Sequence, residues 1–335
     1  MNRRSALNIA KVAMTYAGTI VGAGFASGQE LLQFFAIYGN LGLVGVLLAG
    51  ILLAWLGWRV LELGHSLAAD GYGQVLYKVC GRRVGRLLDI IVTVFLFCVL
   101  TIMIAGAGTV GHDNFGLPYI AGGLAMTAAV WFTGQRGLTG IVAANFLITP
   151  LLIVITLAVG IYSLDYHGLG QVLANIPPGP DASVPPWLLA SLLYASYNLV
   201  MATTVLAPLG AATPDRTTRR WGSLAGGLTL TLLAACVTGV VLVHYPDITD
   251  YEIPMLYISG TQHVINHVAY LIIFICAMFT TALAGLYGCA VKLSNAAGLN
   301  LKTSITLLAG GGLLFSQFGF ADLIAVLFPV FGYIT

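Results

Sequence analysis

Long apolar stretches alternate with short polar connections along the whole chain. Ten segments emerge, at 8–37, 41–63, 84–110, 117–134, 138–162, 186–212, 220–244, 264–292, 302–320 and 321–335. Most reach the roughly 20 residues that a helix needs to cross a bilayer. The last is short and carries Phe328-Pro329. The connection at 64–83 predicts a short interfacial helix. The connection at 163–186, with Pro177-Pro178, Pro180 and Pro185-Pro186, is long enough to fold over the outer mouth, either as a plain surface loop or as a gate.

Composition sharpens this reading. Of the 335 residues, 59% are hydrophobic and 8% are charged. Soluble domains average about 45–50% apolar and about 25% charged residues. So little charge excludes a soluble enzyme, a disordered chain and a nucleic-acid binder. It leaves an all-α polytopic membrane protein whose helices satisfy their own backbones. The net charge is only +2, but its placement is informative. All fourteen Lys and Arg residues fall on one side if the N-terminus is cytoplasmic. The opposite connections carry Asp113, Asp165, Asp181, Asp247, Asp250 and Glu252. The positive-inside rule then sets the N-terminus in the cytoplasm. The first segment is too long, and carries too much of the chemistry, to be a cleaved signal peptide. The five cysteines form no C-x-x-C pair, so neither a disulfide nor a metal cluster is expected.

The ten spans divide into a five-helix repeat at 8–162 and a second at 186–335, within one domain at 1–335. Tyr16-Ala17-Gly18 in span 1 aligns with Tyr194-Ala195-Ser196 in span 6. Five is odd, so the halves must be inverted, a recurring plan of secondary transporters whose site lies at the midplane. Span 1 carries Gly18, Gly22, Gly24 and Gly28, and span 6 carries Ser196 and Asn198 beside two tyrosines. Each glycine weakens a helix by about 1 kcal/mol relative to alanine. Helices 1 and 6 are therefore both expected to be discontinuous, because irregular backbone at this depth persists where it lines a cavity.

An unwound stretch near 21–25 would end one half-helix in free carbonyls, which suit a cation. It would begin the next in free amides, which suit an anion. Span 8 offers Ala277-Met278-Phe279-Thr280-Thr281, whose adjacent hydroxyls are two hard oxygen donors. The competing reading is that each threonine bonds its own helix.

Gly18-x-x-Val21-Gly22-x-Gly24 combined with Ala277-x-x-Thr280-Thr281 resembles the sodium site of the LeuT-fold transporters in the amino acid–polyamine–organocation superfamily. The run from Gly18 to Glu30, GTIVGAGFASGQE, is similar to the YkvI family of bacterial membrane proteins. The resemblance implies sodium held by the carbonyls of Gly18, Val21 and Ala277 and the hydroxyls of Thr280 and Thr281. It also implies a solute near Ala23, Gly24 and Phe25, facing Ser196, Tyr197 and Asn198, with Thr101 of span 3 among the contacts. Phe25 stands where sodium-coupled amino-acid members have Asn, which points to one coupling ion.

Glu30 lies six residues past the break, roughly 9 Å along a helix. An ionisable group at this depth is a functional candidate by default. It could bind a cationic group, close an outer gate or carry a coupling proton, or it could reach the outer headgroups. Asp322 is read as interfacial, and Asp89 and Glu62 as partners of nearby arginines. His263 and His267, four residues apart without a third ligand, are read as surface residues. Gly310-Gly311-Gly312 is read as a close helix contact.

The expected function is sodium-coupled symport of an amino acid or similar small solute by alternating access, in a cytoplasmic (inner) membrane. Proton coupling through Glu30 is the alternative within transporters; a passive channel or a non-transporting sensor is the alternative outside them. No enzymatic constellation appears.

Overall fold

The computed structural model describes residues 3–167, 186–248, 251 and 253–318. Twelve α-helices follow one another there: α1 (Arg3–Ile20), α2 (Ala23–Ser27), α3 (Gln29–Phe34), α4 (Asn40–Ser66), α5 (Tyr72–Phe115), α6 (Tyr119–Gly134), α7 (Leu138–His167), α8 (Pro186–Ala212), α9 (Arg216–Val243), α10 (Pro254–Gln262), α11 (Val264–Ala297) and α12 (Leu301–Phe315). Six of them, α4, α5, α7, α8, α9 and α11, are long and apolar enough to cross a membrane; α6 and α12 are shorter apolar helices. The tenth expected span, with Asp322, and most of the proline-rich connection lie outside the described residues.

Outward faces are apolar: Leu147 is 77% exposed, Leu314 72% and Ile51 68%. Such a surface suits lipid rather than water. The interior is held by close helix approach. A Cβ on Gly64 of α4 would strike the carbonyl oxygen of Ala207, and one on Gly210 of α8 would strike that of Leu61. On α1, Tyr16 is fully buried and donates to the Leu53 carbonyl of α4 at 2.7 Å, in space left by Gly57 and Gly226.

The short helix expected in the 64–83 connection is present. It begins at Tyr72, and the left-handed Gly81 (φ 74°) separates it from the rest of α5. Asp215 caps α9 by accepting from the amides of Thr217 and Thr218 and from the Thr218 hydroxyl. These bonds favour the ionised carboxylate and hold it below its ordinary range, with the Thr218 hydroxyl the largest cause. A lowered folded-state value stabilises the fold above the unfolded value of about 3.9, and the benefit disappears as pH falls through the folded value. Asp215→Ala is therefore expected to melt below wild type at pH 7, with the gap closing under acid. Equal melting at pH 7 would remove the cap from the account.

Two ion pairs close the helix ends. Arg219, 3% exposed, meets Glu62 of α4 at 2.9 Å and donates to the carbonyls of Thr213 and Pro214, with Arg216 at 3.9 Å from Glu62. Asp89 pairs with Lys292 of α11 and accepts from the Tyr77 hydroxyl at 2.7 Å. The expectation of arginine partners thus holds for Glu62 and is corrected for Asp89, whose partner is 203 residues away in sequence. His263 is exposed, as expected, and its Nδ1 accepts from the Ile265 amide to cap α11.

One expectation is overturned. Helix 6 is not discontinuous: Pro186–Ala212 forms a single α-helix. No glycine occurs between Trp187 and Leu209, and the Asn198 amide donates to the Tyr194 carbonyl within its own helix at 3.0 Å. Ser196 and Asn198 lower helix propensity only modestly, and packing on both sides outweighs that.

Candidate functional site

Span 1 breaks where its glycines cluster. The last regular bond of α1 runs from the Val21 amide to the Ala17 carbonyl at 2.8 Å. The next amide, Gly22, turns to Ile20 at 2.7 Å instead of reaching Gly18. Gly22 is extended (φ −99°, ψ −169°), and α2 starts at Ala23. Among the described residues no backbone amide therefore reaches the carbonyls of Gly18 and Val21.

Thr281 of α11 faces this gap. Its hydroxyl is buried with no hydrogen-bond partner, and a Cβ on Gly22 would lie 2.6 Å from it. A buried hydroxyl without a partner costs about 1–3 kcal/mol. Thr280, also buried, donates to the Ala277 carbonyl at 3.0 Å, so the helix-bonding alternative describes Thr280 and not Thr281. Two free carbonyls and an unpartnered hydroxyl, all neutral oxygen donors, fit a small hard cation.

Residues of α7 border the same place and were not picked out from the sequence. A Cβ on Gly18 would collide with Asn145 Oδ1 and Thr149 Oγ1. Asn145 is fully buried with Oδ1 unpartnered, while Thr149 donates to the Met14 carbonyl at 3.0 Å. The available signal was an Asn in an otherwise apolar span.

The outer half of span 1 is folded on itself. Gly28, left-handed at φ 86°, ends α2 and starts α3. Tyr270 of α11 holds the Ala26 carbonyl at 2.8 Å, Ser27 donates to the Gly24 carbonyl at 2.9 Å, and the Gln29 side chain donates to the Tyr251 carbonyl at 2.6 Å. This turn brings Glu30 back over Gly24, whose missing Cβ leaves room for the carboxylate. The 9 Å expected along a straight helix is thereby lost. Tyr197 of α8 donates to Glu30 Oε2 at 2.6 Å. The rings of Phe34, Tyr194 and Tyr197 pack together, with centroids 5.6–5.7 Å apart.

The structure thus brings Gly24, Glu30 and Tyr197 into one cluster, with Ala23 beside it at the start of α2. Ser196 is half-buried one residue before Tyr197. Phe25 is 1% exposed in the core. Thr101 and Asn198 spend their donors within their own helices, on Phe97 and Tyr194.

No protein-family model matches the chain. YkvI of Bacillus subtilis, an uncharacterised membrane protein, is 28% identical over 325 residues, covering 97% of this chain and 92% of the relative. YyaD of the same organism is 23% identical, covering 94% and 90%. Three solved structures share the fold. MhsT in complex with L-phenylalanine has a TM-score of 0.64 at 19% identity, covering 97% of this chain and 80% of that one. Mhp1, a nucleobase-cation-symport-1 transporter, has 0.61 at 16%, covering 96% and 76%. A Na+-coupled sialic acid symporter has 0.69 at 11%, covering 95% and 75%. These neighbours are transporters, not enzymes. The chain is a homologue of YkvI and YyaD, and its fold is the LeuT fold of those transporters.

Proposed function

We propose that this protein is a secondary active transporter that couples sodium entry to movement of a small amine-bearing organic solute, amino acids included, by alternating access. In this reading residues 8–162 and 186–335 are inverted five-helix repeats, and the N-terminus is cytoplasmic. Sodium binds at the break, to the carbonyls of Gly18 and Val21 and the hydroxyl of Thr281, and the Ala277 carbonyl and Thr280 hydroxyl join it once the bond between those two opens. The observation that carries the reading is the buried, unpartnered Thr281 hydroxyl set against Gly22, where α1 stops.

Thr281→Val keeps the shape and removes the oxygen. Sodium is expected to raise the melting temperature of the purified wild-type protein. The variant should need about tenfold more sodium for the same effect, equivalent to about 1.4 kcal/mol. Uptake into proteoliposomes should follow the same order. An unchanged sodium response in the variant sinks the ion assignment, and sodium-dependent binding without uptake identifies a sensor.

A second reading rests on Glu30, a membrane-depth carboxylate to which no Lys or Arg among the described residues is paired. If Glu30 carries a coupling proton, Glu30→Gln abolishes the pH dependence of uptake while leaving the sodium response intact.

A further inference from the structure

Glu30 is a carboxylate that pairs with no Lys or Arg side chain among the described residues. Twelve of the fourteen Lys and Arg have described side chains, and those in ion pairs serve Glu62 or Asp89. One carboxylate oxygen, Oε2, is fixed by the Tyr197 hydroxyl. The other, Oε1, lies against Gly24, takes part in no hydrogen bond among the described residues, and is not sealed off, since Glu30 is only half-buried.

Aromatic rings stand beside it. Phe34 and Tyr197 are both half-buried with centroids 5.7 Å apart, and Tyr194 packs edge-on behind them. A carboxylate attracts an ammonium strongly where the dielectric is low, and ring faces add a cation–π attraction. The same arrangement repels a second carboxylate. An α-amino acid would bring its own negative charge to within a few ångströms of Glu30, with no basic side chain present to offset it.

We propose that the solute is an organic ammonium ion without a carboxylate next to its nitrogen, received by Glu30 Oε1 and bordered by the rings of Phe34 and Tyr197. Tyr197 is a positioning residue, because its hydroxyl holds the carboxylate by the oxygen that faces away from the solute. Gly24 is required because any side chain there would occupy the carboxylate's place. The inference rests on the transporter reading and narrows its solute from zwitterions to cations.

Two matched series of probes differ in charge and little in shape. One is 2-phenylethylamine, L-phenylalanine and 3-phenylpropionate; the other is n-propylamine, L-alanine and propionate. Binding to the purified full chain is measured by calorimetry in sodium buffer. At least one amine should bind at least about tenfold more tightly than its zwitterion, and the anions should not bind. Glu30→Gln should lower amine affinity by at least about tenfold, Tyr197→Phe by a smaller factor, and Glu30→Asp should retain part of it. Stabilisation of Glu30→Gln by sodium alone shows that the variant is folded, and it separates this proposal from the sodium assignment, which Thr281→Val tests. The proposal is overturned if neither amine binds, if a zwitterion binds as tightly as its amine, or if Glu30→Gln binds the amine like wild type.

Discussion

Lys292→Met is expected to destabilise the protein by up to about 3–5 kcal/mol, the cost of stranding a buried charge, because Asp89 is buried while the Lys292 side chain is 31% exposed. Asp89 is 1% exposed, and its Oδ1 already has no hydrogen-bond partner. Without Lys292 its remaining side-chain partner is the Tyr77 hydroxyl. Methionine keeps most of the apolar stem, so the loss measures charge more than packing. The double variant Asp89→Asn/Lys292→Met should recover most of the stability, because the uncompensated charge is gone. Thermal unfolding of the purified protein in detergent gives both values. A Lys292→Met protein as stable as wild type would show that the pair contributes nothing.

The second large effect is expected at the crossing of α4 and α8. Gly64→Ala and Gly210→Ala each place a methyl group on a facing backbone carbonyl, at Ala207 and Leu61. A carbonyl in a packed helix cannot swing aside as a long side chain can, so the helices must separate. Overpacking of this kind costs about 1–3 kcal/mol at each site. The two substitutions open the same crossing, so the double variant should lose less than the sum of the singles. Strict additivity in denaturant unfolding would mean that each glycine answers to a separate local contact.

Much of the architecture was readable because the bilayer restricts the choices. Long apolar runs located the helices, and the glycines of span 1 located its break. Gly22 and Gly28 each mark a point where the helix stops. The same logic does not carry to span 6, where Ser196 and Asn198 lie within an unbroken helix. An amide that bonds its own turn satisfies the helix without unwinding it, and local sequence does not reveal which partner it will choose.

The proposed cation site was legible as residue types, while its geometry was not. Thr280 and Thr281 are adjacent and chemically alike, yet one donates within its helix and the other faces the gap. The 100° step between successive helical residues makes that difference. Glu30 was visible as an anomaly. Its return to Gly24 depends on the left-handed Gly28, and its meeting with Tyr197 spans 167 residues. Asn145 went unnoticed because a single amide in an apolar run has no spacing pattern to mark it.

The difference between span 1, which breaks, and α8, which does not, has a mechanical consequence. Span 1 can pivot about Val21 and Gly22 with fewer backbone bonds to break, because no amide among the described residues reaches the carbonyls of Gly18 and Val21. The α8 helix has no such joint near Tyr197, so displacing that hydroxyl must tip the whole rod or bend it near Pro208, where the ring has removed a donor. Spin labels at the start of α8 and just before Pro208 would then keep a fixed separation when ligand is added, while labels on α1 and α3 would not.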